Sequence, residues 1–205
     1  MGNKTFYGSG LTVDTTKKIT VVTQFITANS TTSGALRGIC RVYVQDGKMI
    51  QNSKTNVARM AIYNSVTGSF CTAQKTAFSN QNDFAAKGGF TKFGSDMDKG
   101  MVLVLSIWDN HAANMLWLDS NYPMSSNPAT PGIACGTCPT TSGVPANIES
   151  KSPNASVTYS NIHFGNIGST YSGGTTTTTT CPITSTSTSL APVDFCAQLG
   201  SLIRT

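Results

Sequence analysis

Apolar and polar residues alternate along much of this chain, and a spacing of two predicts strands. In KITVVTQF (18–25), β-branched residues and Phe25 mark a short strand. ICRVYVQDGKMIQNS carries two apolar alternations separated by Asp46-Gly47, a pair that supplies the positive φ angles of a two-residue hairpin turn. Residues 80–100 lose the alternation, and TKFGSDMDKG predicts one or two helical turns ended by Gly100. From Met101 to Asp109 the apolar residues are nearly continuous, as in a strand covered on both faces, and Met115 to Asp119 continue the sheet after a polar excursion. The Pro-, Gly-, Ser- and Thr-rich stretch 125–145 reads as an irregular loop. Two more strands are predicted. One is VPANIES at 144–150; the other is SVTYSNIHFGNIG at 156–168, where Val157, Tyr159, Ile162 and Phe164 form two alternating stretches meeting at a bulge.

Short strands with turn signals and almost no helix predict an all-β chain, an antiparallel β-sandwich or jelly roll. After Gly173-Gly174 the composition collapses into Thr and Ser, which bury too little apolar surface to fold. Residues 1–172 are therefore expected to form one domain and residues 173–205 a disordered linker and tail. At 205 residues the chain is long enough for one full core. No run approaches the roughly 18 apolar residues of a membrane span, so no membrane partner is expected.

The formal net charge of +5 raises the question of nucleic acid, but the lysines and arginines are scattered from Lys4 to Arg204 without a stripe, and no nucleic-acid partner is expected. MGNKTFYGSG lacks the basic and apolar regions of a signal peptide. Yet Asn3-Lys-Thr, Asn29-Ser-Thr and Asn154-Ala-Ser are glycan acceptors, and the Thr175–Thr180 run suits an O-glycosylated stalk, both marks of secretion. A chain missing its front end would reconcile the two signals.

Candidate chemistry narrows quickly. Cys135-Gly-Thr-Cys138 has redox spacing, but Pro139 and Gly143 place it in a loop, and two further zinc ligands at matching spacing are lacking. His111 and His163 are too far apart for a metalloprotease-type pair, so no metal or cofactor is assigned. Glu149 is the single glutamate among nine carboxylates. That leaves Trp108 and Trp117, the only tryptophans, each beside Asp or Asn in MVLVLSIWDNHAANMLWLDSNYP. A pyranose ring has an apolar C–H face and a rim of hydroxyls, so a sugar site needs a flat aromatic plate with carboxylate and amide partners nearby.

The same segment resembles the family 7 glycoside hydrolases, the fungal cellobiohydrolases and related endoglucanases. KTFYGSGLTVDTTKKITVVTQF, RVYVQDGKMIQNSKTN, FCTAQKTAF and TTSGVPANIESKSPNASVTYSNIHFGNIGSTYSG resemble cellobiohydrolase segments in the right order, over about residues 1–173. The resemblance implies a concanavalin-like jelly roll, incomplete at its N-terminus, whose concave sheet forms a cellulose-binding tunnel. It implies an extracellular monomer that acts on β-1,4-glucan with retention of configuration. Trp108 and Trp117 would be plates for successive glucose units, and Asp109 and Tyr122 polar tunnel and product-site positions.

The departures matter as much. The family's Glu-x-Asp-x-x-Glu strand would precede Met1, so no catalytic residue is assigned, and Glu149, on an outer strand of the look-alike, cannot serve as both nucleophile and acid. Cys135 in GIACGTC replaces an arginine that grips the product sugar. Cys71 and Cys138 match cysteines whose partners lie upstream. His111 and Ala112 stand where some members carry tyrosines. The expected result is an inactive chain that still holds glucan; a non-catalytic glucan-binding fragment or an endoglucanase are the alternatives.

Overall fold

The structure is a computed structural model that describes residues 3, 5–58 and 60–173. The Thr-rich stalk, most of the expected tail, Cys181 and Cys196 lie outside the described residues.

A four-stranded antiparallel sheet organises the first half. Strands β1 (Tyr7–Gly8) and β2 (Val13–Asp14) pair in parallel beside it, and β3 (Thr20–Thr27) runs antiparallel to β4 (Leu36–Gln45). Along the other edge of β4 lie β5 (Lys48–Gln51) and β6 (Ser65–Thr67), one on each half. The hairpin predicted at Asp46-Gly47 is present: φ is 50° and 72° at the two residues, the doubly left-handed turn that matches strand twist.

Alternation along β4 divides its side chains between two cores. Val42 and Val44 join Val22 and Cys40 on one face, capped by Ile26, Met49 and the returning Tyr171. Tyr43 points the opposite way, against Phe6 and Val13, with the Phe6 ring edge-on at 5.8 Å. Gln45, buried at the hairpin end, ties the pieces together: its Oε1 accepts from Asp14 N (2.9 Å) and its Nε2 donates to Asp14 O (2.8 Å).

Helices follow. In α1 (Gly68–Ala77), Thr67 Oγ1 caps the first turn by accepting from Phe70 N at 3.1 Å. Asn82 caps α2 (Asp83–Ala86) in the same way. In α3 (Gly89–Met97), Phe90 packs against Phe84, and the helix lies on β4 so closely that a Cβ on Gly94 would sit 2.9 Å from Leu36 Cβ. The helical turns predicted for 80–100 are α2 and α3, with Gly100 at φ 93° just beyond them.

Four segments predicted as strand take other forms. Residues 101–109 make no strand, and Val102 and Val104 are 88% and 75% exposed. A continuous apolar run becomes a strand only when neighbours take up its backbone groups and cover it. The segment 156–168, which likewise forms no strand, touches residues 101–109 where Tyr159 donates its hydroxyl to Ser106 O at 3.1 Å. VPANIES forms helix α5 (Pro145–Lys151), because Pro145 at the first helical position is preset for a helix and extended Val144 precedes it. Met115–Asp119 likewise gives one helical turn, α4 (Leu116–Asp119), entered through left-handed Asn114 and Met115. No helix among the described residues is long and apolar enough to cross a membrane.

Candidate functional site

The candidate residues sit where the apolar ribbon ends. Asn110 shapes the turn: its side-chain oxygen accepts from Ala112 N (2.9 Å) and Ala113 N (2.8 Å), and its carbonyl accepts from Asn114 N. That turn folds α4 back so that Trp117 meets Trp108, with ring centroids 6.2 Å apart and planes 28° from parallel. Leu116 and Leu118, both buried, anchor the far side of α4.

A second loop supports the turn from beneath. Cys135 N donates to Ser120 O (2.8 Å), Cys138 N to Asp119 O (2.9 Å), and Ser120 Oγ to Cys138 O (2.7 Å). Gly136 and Gly143 are needed here, because a Cβ on either would collide with the carbonyl of Asp119 or Asn114 respectively. Tyr122 is exposed and fixed by its amide, which donates to Ile133 O (3.0 Å). Cys135 is buried, its Sγ 3.5 Å from Gly132 O, so the residue at the expected sugar-gripping position faces into the loop.

The two indoles do not stand as separate plates. A sugar between them would need about 3.5–4 Å of carbon contact on each side, more than a 6.2 Å separation provides. They form one offset-stacked plate instead, with Trp108 46% exposed and Trp117 half-buried behind it.

Next to this plate three side chains converge that the sequence kept apart. His111 Nε2 lies 3.6 Å from Asp109 Oδ1 and 3.6 Å from Glu149 Oε1, and the three groups offer atoms all within 4.8 Å of one another. Glu149 arrives from α5, not from an outer strand. Nothing in a 38-residue separation, across a loop whose path depends on glycine contacts, signals this meeting.

Residues 1–171 match the profile of Glycosyl hydrolase family 7. The chain belongs to that family. Among solved structures, a family 7 cellobiohydrolase from Daphnia pulex is 50% identical, with a TM-score of 0.69 over 74% of this chain and 35% of its own. A cellobiohydrolase from Melanocarpus albomyces, complexed with cellotetraose, is 43% identical (TM-score 0.72, 83% and 37%). A Humicola insolens endocellulase is 33% identical (TM-score 0.58, 73% and 33%). The chain thus spans roughly a third of the length of these family 7 enzymes. Its fold class is theirs, an antiparallel jelly-roll sandwich, here with sheets that do not close on themselves.

Proposed function

We propose that this chain is the glucan-holding part of a secreted cellulase of cellobiohydrolase type, hydrolysing β-1,4-glucosidic bonds with retention in the whole enzyme, and that the chain alone does not hydrolyse glucan. The Trp108–Trp117 plate beside Asp109 carries this reading: an exposed indole face covers the apolar side of a glucose ring while a carboxylate accepts from its hydroxyls. Tyr122, beyond Trp117, serves the product side. The higher identity to cellobiohydrolases than to endocellulases favours the first type. Asn3, Asn29 and Asn154, all exposed, are N-glycan acceptors in keeping with an extracellular protein. Residues 1–172 form the glucan-holding unit.

One carboxylate oxygen of Asp109 and one of Glu149 lie within 4.8 Å of each other, and a retaining pair has its carboxyl groups about 5–5.5 Å apart. His111 Nε2, however, stands 3.6 Å from an oxygen of each, beside the position a scissile bond would take. Incubation of the purified chain with a soluble cellotrioside reporter tests the proposal. No release above buffer is expected, together with saturable binding of cellohexaose. Enzyme-like release abolished by Asp109→Asn or Glu149→Gln would show that this pair cuts after all, and absence of cellohexaose binding would remove the glucan-holding role.

A further inference from the structure

We propose that Asp109, His111 and Glu149 form a binding site for a divalent transition metal such as Zn2+. The proposal rests on the convergence of these side chains; it shares Asp109 with the proposed glucan site, and its test uses no glucan. Each contributes one ligand atom: a carboxylate oxygen, the imidazole Nε2, and a second carboxylate oxygen. The two 3.6 Å separations are too long for hydrogen bonds, so the imidazole reaches between two carboxylates without bonding to either. They are close to the spacing of neighbouring ligands around a tetrahedral ion, about 3.4 Å for metal–ligand bonds of about 2.0–2.2 Å.

The remaining edge, between Asp109 and Glu149, lies within 4.8 Å and closes by a change in the Glu149 side chain. That side chain is 61% exposed and free to turn. Asp109 is the fixed partner, 27% exposed in the turn that Asn110 organises. Two carboxylates supply negative charge, and the imidazole nitrogen selects transition metals over Mg2+ and Ca2+, which prefer all-oxygen shells. Three protein ligands leave one position of a tetrahedral ion open to water, the arrangement of an accessible rather than a closed structural site.

The test uses the full chain at pH 7.5. Zn2+ affinity is measured by competition with a chromophoric chelator, and Co2+ binding by quenching of tryptophan emission, since Trp108 is the neighbour of Asp109. One saturable site is expected, weakened more than about tenfold by His111→Ala, because loss even of an outer-shell partner typically costs that much. Asp109→Asn is expected to act in the same direction. His111 is 76% exposed, so its replacement leaves the fold intact, as equal circular dichroism and melting would verify. Metal held by the Cys71, Cys135 and Cys138 thiols persists in His111→Ala, so the difference between the two proteins isolates this site. Unchanged Zn2+ affinity and Co2+ quenching in His111→Ala would overturn the proposal. So would displacement of Zn2+ by equimolar Ca2+, which would mark an unselective acidic patch.

Discussion

Replacing Trp108 by Ala should weaken glucan binding by an amount the structure sets. An indole side chain offers on the order of 250 Å², and Trp108 leaves 46% of its surface exposed, which amounts to about 115 Å². Covering all of it at about 25 cal/mol per Å² would yield about 3 kcal/mol. The face against Trp117 is already left out of that area, and a glucose ring covers the open face but not the ring edges. Roughly half of that energy remains, about 1.5 kcal/mol, or about tenfold in Kd. Isothermal titration of the chain with cellohexaose reads the change directly. Trp108→Phe, which keeps a smaller flat face, should fall between wild type and Ala, and Val102→Ala on the neighbouring exposed ribbon should have no effect. Wild-type affinity in Trp108→Ala, with an unchanged melting temperature, would refute the idea that this plate holds sugar.

Other expectations concern the fold around the site. Gly94→Ala gains about 1 kcal/mol of helix propensity but drives a methyl to 2.9 Å from Leu36 Cβ, where overpacking costs about 1–3 kcal/mol; a lower melting temperature is expected, whereas Gly68→Ala, with open space around it, should not lower it. Asp14 accepts from the amides of Gly10 and Thr16 and from the Thr16 hydroxyl, and these bonds, the Gly10 amide foremost, hold its carboxyl below the ordinary 3.8. Its contribution to stability is therefore complete above pH 3.8 and lost as pH falls through the lowered value. In melting curves, the advantage of wild type over Asp14→Asn should hold at neutral pH and vanish in strong acid. The apolar ribbon 101–108 should make the isolated chain self-associate and bind a hydrophobic dye, and Val102→Lys with Val104→Lys should reduce both; sedimentation of wild type as a single monomer that binds no dye would contradict this.

Local chemistry was legible in the residues alone. Asp46-Gly47 specifies its hairpin because few other pairs accept two left-handed angles in succession. The strands predicted from KITVVTQF and ICRVYVQ form as β3 and β4, since they lie beside each other in sequence and pair antiparallel. Trp108 and Trp117 stood out as an aromatic pair bordered by carboxylates and amides, and the extended likeness to family 7 enzymes carried the family. Where partners had to come from afar, the pattern misled: 101–109 and 156–168 have the composition of strands, but a strand is defined by the neighbour that satisfies its backbone. Pro145 decided VPANIES for a helix against its apolar spacing. Only the tertiary structure turned two tryptophans nine residues apart into one stacked plate and brought Glu149 to Asp109 and His111. Both depend on a turn organised by Asn110 and on loop glycines that let backbones touch, and such contacts leave no periodic trace in a sequence.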